Sequence, residues 1–292
     1  MATLILDWAD EDNNTGINLD AAYQAGVRMC ILRSIYGRPY GGSTGCYIDK
    51  TWADYKDAVI AAKMKRSTYL FLCYPNKGMV TPEPEVQAQA LIDYVGNELG
   101  SNPLTDFVPF YDVEETSNML NEQEMYDWTV RCAQALYNFY KVWPGQYSSN
   151  QVWSDNMGSH AAGVLIDTPQ WTAKPWYQAP RQPINLAASP DVPLVIQEFG
   201  AWWGFQRQGD ALGCPGFNST VDVTVPNVLS IGANSGSVKW IQKRIGVSPD
   251  GDFGPMTEAA VKDFQTKNGL TPDGIVGLDT YTPLSWVKLQ TP

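Results

Sequence analysis

The chain has 292 residues, 44% hydrophobic and 17% charged, enough to bury a large core and too apolar for a disordered polymer. Its formal net charge of −11, with no basic cluster, argues against nucleic acid as the main ligand. The one histidine, His160, argues against zinc amidases and peptidases, which draw on two or three imidazoles, and leaves a Cys–His peptidase only that residue to use.

Taken in order, the chain opens on MATLILDWADEDNN, which has no basic leading region, turns acidic early and does not read as a signal peptide. No stretch is long enough to span a membrane. Apolar, β-branched runs predict strands at Thr3–Asp7, Val27–Arg33, Thr68–Cys73 and Phe107–Asp112, with a weaker one at Gly145–Ser148. Helical spacing falls between them, at about 18–25, 50–64, 83–98, 121–141 and 150–157. Pro82 and Pro84 suit the opening of the third helix and Gly100 its end. After residue 160 helices become sparse, while strand-like runs continue at Ala162–Asp167, Pro193–Glu198 and Val221–Val225. Eight strands, with helices after the first five, predict a modified α/β barrel, although a doubly wound sheet would alternate in much the same way.

Residues 226–237, PNVLSIGANSGS, mark a boundary that divides the chain into 1–227 and 228–292. Positive and negative residues balance beyond it, so the whole acidic excess lies in the first part. Two related turns follow, Pro249-Asp250-Gly251 and Pro272-Asp273-Gly274. Each precedes a second glycine and a threonine, Thr257 or Thr280, that could cap a helix. With helical stretches at about 236–245 and 257–268, this reads as an internal repeat in a small helical domain. Of the five cysteines, Cys30 and Cys73 read as reduced core residues. Cys46 and Cys214 lie in loop-like sequence, where pairing is open. The eleven tryptophans suit either sugar stacking or a barrel core.

The sharpest chemical feature is Asp112-Val113-Glu114 at the end of an apolar strand. Residues i and i+2 share a strand face, and two carboxylates that close can split their pKa values, one serving as acid while the other stays charged. Glycoside hydrolysis uses such a pair, and barrel active sites lie at these strand ends. A solvated acidic loop is the plainer reading. Asp7 and Asp222 also end or interrupt apolar strands, which makes a convergent acidic centre plausible. Glu115 and Glu198 are rival acids.

In their order, several segments resemble glycoside hydrolase family 25, the muramidases of many phage endolysins. These are Asp7, Arg33-Ser34, Thr68-Tyr69-Leu70-Phe71, Asp112-Val113-Glu114, Gln146-Tyr147-Ser148-Ser149, Trp171-Thr172-Ala173 with Tyr177, Gly204-Phe205-Gln206, Pro215-Gly216 and Val221-Asp222-Val223. The chain departs from the family pattern at Trp8-Ala9, Leu70 and Phe205. Residues 228–288 resemble the peptidoglycan-binding domain 1 family. The matching stretches include Asp250-Gly251-Asp252-Phe253-Gly254, Ala260-Val261 with Phe264-Gln265, and Asp273-Gly274-Ile275-Val276-Gly277. Val261, Phe264 and Leu270 read as core.

The resemblance implies hydrolysis of the β-1,4 bond between N-acetylmuramic acid and N-acetylglucosamine, with neither metal nor cofactor. Glu114 is then expected as general acid, Asp112 as the ionised partner, and Asp7 and Asp222 as the rest of an acidic cleft. Tyr69, Tyr147, Trp171 and Gln206 are expected to contact substrate, with core packing equally open for Tyr69 and Trp171. The expected partner is peptidoglycan. The protein is expected to be a monomer without membrane insertion, made in a cytoplasm and acting at the wall as a phage lysin. A barrel that binds wall without cutting it, and a glycosidase for another glycan such as chitin, are the rival readings.

Overall fold

The computed structural model describes residues 3–12, 14–40, 44–157, 165, 168–173 and 203–289. Their strands are β1 (Leu4–Trp8), β2 (Val27–Tyr36), β3 (Tyr47–Ile48), β4 (Lys65–Phe71), β5 (Phe110–Asp112), β6 (Gly145–Ser149), β7 (Gln170–Ala173), β8 (Gly204–Ala211) and β9 (Val221–Pro226). The order β1-β9-β8-β7-β6-β5-β4-β2, with β1 also paired to β2, closes an eight-stranded barrel, and β3 extends one edge of β2 as a short hairpin. Apart from β3, which is antiparallel to β2, the strands from β1 to β8 run parallel around the barrel, while β9 is antiparallel to both β8 and β1. Closure excludes the open doubly wound sheet.

The helices of the barrel are α1 (Leu19–Gln24), α2 (Thr51–Ala61), α3 (Pro84–Val95), α4 (Glu122–Tyr140) and α5 (Asn150–Met157), each following a strand as the spacing predicts. Local chemistry sets their ends. Asn121 and Glu124 form a capping box at the start of α4, and Pro84 occupies the first turn of α3. Gly100 does not end α3, which stops at Val95. Its φ of 89° is one reason for glycine there, and the Trp286 ring, which leaves no room for a Cβ, is the other.

The last strands differ from the sequence expectation. The described barrel uses 170–173 and 204–211 as its sixth and seventh strands. The runs expected at Ala162–Asp167 and Pro193–Glu198 lie outside the described residues, apart from Leu165, and so do His160, Tyr177 and Glu198. Strands β7 and β8 read poorly because they carry Gln, Thr, Gly and Arg where a buried strand usually carries Val and Ile. All five cysteines are free, Cys46 and Cys214 included.

Strand alternation sorts the core in two. Leu4, Leu6, Trp8, Cys30, Leu32, Leu70 and Tyr111 pack outward with the helices. Ile5, Met29, Ile31, Tyr69, Phe110, Tyr147 and Trp171 fill the barrel interior. That interior cluster runs on through Phe107, Val108 and Trp203 into Trp240, Phe253, Val276, Tyr281 and Leu284 of the C-terminal helical region. This region comprises α6 (Gly236–Ile245), α7 (Pro255–Lys267) and α8 (Leu278–Ser285), the last suggested in the sequence only by Thr280 as a possible cap. It seats on the end of the barrel where the parallel strands begin. Trp286 donates from Nε1 to the Asp106 carbonyl at 2.6 Å and meets Tyr140 edge-on, and Lys65 reaches Asp279 at 3.0 Å.

The repeat is real in three dimensions. Gln242 Nε2 donates to Asp250 Oδ1 at 2.7 Å, the Asp252 carbonyl at 3.0 Å and Thr257 Oγ1 at 3.0 Å, while its Oε1 accepts from Gly251 N at 2.9 Å. Gln265 repeats the knot on Asp273, Ile275, Thr280 and Gly274 at 2.8, 2.9, 3.0 and 2.9 Å. Thr257 and Thr280 therefore do not cap helices. The caps are Gly254 and Gly277, and each threonine instead ties its turn to the preceding helix.

Because the helical region shares a core with the barrel interior, the two should unfold together. Trp286→Ala should cost about 2–4 kcal/mol, in the range for truncating a large packed side chain. Denaturant unfolding, followed by tryptophan fluorescence and far-UV circular dichroism, should give one transition at a lower midpoint. A barrel transition left unmoved beside a separate, weakened helical one would contradict the shared core.

Candidate active site

Four carboxyl groups meet at the end of the barrel where the parallel strands finish. Asp7 follows Ile5 by two residues and Asp112 follows Phe110 by two, so both share the interior face of their strands. Asp222 stands directly opposite Asp7 in the antiparallel ladder that closes the barrel. Glu114 lies just past β5, where Val113 N still donates to the Tyr147 carbonyl at 2.9 Å. In register, Asp112 is flanked by Phe71 on β4 and Tyr147 on β6.

The electrostatics are those of crowded like charges. Burial raises the pKa of Asp7 well above the usual carboxylate range, and Asp222, Asp12 and Glu114 raise it further. Burial also raises Asp112 well above that range, followed by Glu114, Asp7 and Asp222, while Arg33 pulls it down. Oδ1 of Asp7 and Oδ1 of Asp112 are buried with no hydrogen-bond partner among the described residues. Glu114 is open to solvent on one side but crowded by protein on the others, and this desolvation raises its pKa against a hydrogen bond from the Tyr147 hydroxyl. Such a cluster favours shared protons over full ionisation, because charging every member in a low-dielectric site is costly. Arg33 is the cation that pulls Asp112 toward its charged form, against burial and the neighbouring carboxyls that keep its pKa well above the usual range.

Supporting residues fix this arrangement. Arg33 is anchored by Asp49, Nε to Oδ2 at 2.7 Å, and by Asp10, Nη2 to Oδ1 at 3.5 Å. In the sequence Arg33 stands only within the Arg33-Ser34 resemblance, and a cation inside the largely apolar strand Val27–Tyr36 is the signal for its role. Gln206 donates from Nε2 to Asp222 Oδ2 at 2.6 Å. Trp171 is 2% exposed, donates from Nε1 to Thr224 Oγ1 at 2.8 Å and packs against Tyr147, forming the floor below the carboxyls. Tyr69 is buried in the same interior layer, close enough for Arg33, Asp7 and Asp112 to influence its hydroxyl. Of the rival acids, Glu115 is bound to Arg38 at 2.5 Å. Among the described residues no cluster of His, Cys, Asp and Glu has the geometry of a metal site.

Comparison with known proteins places both parts of the chain. Residues 234–284 match the family described as "Putative peptidoglycan binding domain". An uncharacterized protein of Kitasatospora aureofaciens is 58% identical over 46 residues, 16% of this chain and 35% of that protein. The zinc D-Ala-D-Ala carboxypeptidase of Streptomyces albus G is 38% identical over 69 residues, 21% of this chain and 27% of that protein. The chain thus matches about a third or less of the length of these relatives. The barrel is similar to the bacterial lysozyme of Streptomyces coelicolor, with a TM-score of 0.60 at 17% identity over 78% of this chain and 93% of that one. It is also similar to a family 25 glycosyl hydrolase from Bacillus anthracis, with a TM-score of 0.55 at 13% identity over 77% and 88%. The barrel therefore has the fold of these lysozymes.

A carboxyl whose pKa is raised by folding stabilises the protein only while it is protonated, and that contribution is lost as pH rises from the unfolded value, about 4, through the folded one. Asp7→Asn should therefore raise Tm at pH 7, by roughly 2–4 °C for about 1 kcal/mol of relieved repulsion. The gain should vanish below about pH 4, where Asp7 itself is neutral. A lower Tm for the variant at pH 7 would show that an ionised Asp7 is stabilised in the fold.

Proposed function

We propose that the protein is a muramidase, hydrolysing the β-1,4 bond between N-acetylmuramic acid and N-acetylglucosamine in bacterial peptidoglycan. The observation that carries this reading is the convergence of Asp7, Asp112, Glu114 and Asp222 at the mouth of a barrel with the lysozyme fold. In this reading Glu114 is the general acid. It is the acidic residue of the Asp-x-Glu pair that is open to solvent and so able to meet a glycosidic oxygen, and its raised pKa keeps a proton available. Asp112, which Arg33 pulls toward the charged form against burial and its acidic neighbours, is the partner carboxyl beneath the sugar and either stabilises the positive charge that develops there or orients the N-acetyl group. Asp7 and Asp222 hold the cleft acidic and keep the pKa of Glu114's neighbours high. Tyr147 positions Glu114, and Gln206 positions Asp222.

Residues 228–292 act as a wall-binding domain in this reading, supported by the family match at 234–284, and raise the local concentration of the barrel on an insoluble polymer. The pairing of a glycan-cutting barrel with a wall anchor suits a monomeric lysin, of the kind phages use to open their hosts.

The decisive assay is release of reducing ends from purified peptidoglycan. Wild type should release reducing N-acetylmuramic acid, and Glu114→Gln should be slower by about 10²–10⁴, the usual contribution of a general acid. Release of amines, or of nothing, by a wild type that still binds wall would remove the glycosidase reading and leave only the anchor.

A further inference from the structure

A line of aromatic rings leaves the carboxyl cluster along one side of the barrel mouth. Phe71, the last residue of β4, is in register with Asp112, and Tyr36, the last residue of β2, is in register with Phe71. The Tyr36 and Phe71 rings lie 5.3 Å apart and tilted by 32°. Tyr40 then meets Tyr36 edge-on at 6.4 Å, and Tyr47 on β3 meets Tyr40 at 5.3 Å. Exposure along the line is greatest at Tyr40. Phe71, Tyr36 and Tyr47 are half-buried, whereas Tyr40 is 60% exposed.

The line is held in place rather than draped over the surface. Gly37 N donates to the Phe71 carbonyl at 3.0 Å, and Gly37 packs so close to Gln87 that no Cβ fits. Arg38 is tied to the Tyr74 carbonyl at 2.9 Å and to Glu115 at 2.5 Å, and its own carbonyl accepts from Tyr47 N at 3.1 Å. The Tyr47 hydroxyl donates to Asp10, which also contacts Arg33. The network that supports Asp112 through Arg33 therefore also sets the tyrosine that backs Tyr40. An exposed aromatic ring, held rigid from behind and continuous with a glycan-cutting centre, suits a pyranose. The C–H face of a sugar is apolar and matches the electron-rich face of the ring, with little side-chain freedom left to lose.

Resting on the muramidase reading, we infer that Tyr40, backed by Tyr36 and Tyr47, is a distal sugar subsite that binds a pyranose of the glycan strand several units from the scissile bond. The occupant is the sugar backbone itself, not the stem peptide. Phe71 and Tyr36 form the wall between this subsite and Asp112, so the subsite favours long strands over short oligomers.

Binding of peptide-free oligomers of alternating N-acetylglucosamine and N-acetylmuramic acid tests this, measured by calorimetry in the inactive Glu114→Gln protein. Four-sugar and eight-sugar chains are compared with and without Tyr40→Ala. The preference for the longer chain should fall about five- to tenfold in Tyr40→Ala and survive in Tyr40→Phe, which keeps the ring. Equal losses on both lengths, no loss on either, or the same loss with phenylalanine would overturn the subsite. Loss seen only when stem peptides are attached would assign Tyr40 to the peptide and also overturn it. The two readings fail separately. If wild type cuts glycan while Tyr40→Ala keeps its length preference, only the subsite falls. If wild type neither cuts nor binds these chains, the muramidase reading falls with it.

Discussion

The antiparallel ladder between β1 and β9 is the constraint on which the site depends. It closes the barrel, and in closing it sets Asp7 directly across from Asp222. Two carboxylates on facing positions of neighbouring strands repel, and burial makes the repulsion costly. The rest of the fold supplies the compensation. The surrounding strands are buried on both faces, the interior is filled with aromatic rings, and Gln206 donates to Asp222. Stability gained in the core offsets the cost at the mouth, where crowded carboxyls are the working chemistry of the proposed reaction.

The same interior explains how the C-terminal helical region is held. The barrel core does not stop at its lower end. It continues through Phe107, Val108 and Trp203 into the aromatic and aliphatic residues of α6 and α8. The region thus lies at the end of the barrel opposite the carboxyls, joined by a shared core, a tryptophan wedge and an ion pair. On the proposed function this geometry separates holding from cutting.

Much of this was legible in the sequence, for physical reasons that can be named. Strand β1, most of β2, the second half of β4 and the run leading into β5 are largely apolar because a parallel strand is covered on both faces, and the carboxyls at the ends of β1 and β5 stand out against that background. Helices α1 to α5 announce themselves by spacing and by caps such as Asn121 and Pro84. The closing strands were harder. Strand β8 carries Gln206, Gln208 and Asp210, and its register with β9 is broken twice, so no clean alternation survives. Thr257 and Thr280 looked like caps because a threonine before a helix usually is one. Their partners, Gln242 and Gln265, come from the preceding helix and no local window contains them. The aromatic line at Tyr36, Tyr40, Tyr47 and Phe71 was invisible for the same reason, since only strand register brings it together.

The most direct test of the account is a crystal structure of the Glu114→Gln protein with an oligomer of N-acetylglucosamine and N-acetylmuramic acid. The account predicts an intact glycan across the barrel mouth, with a glycosidic oxygen within roughly 2.6–3.2 Å of the residue 114 amide and a sugar ring above Asp112. A glycan bound only to the helical region, or one whose glycosidic oxygens approach Glu115 instead, would contradict it.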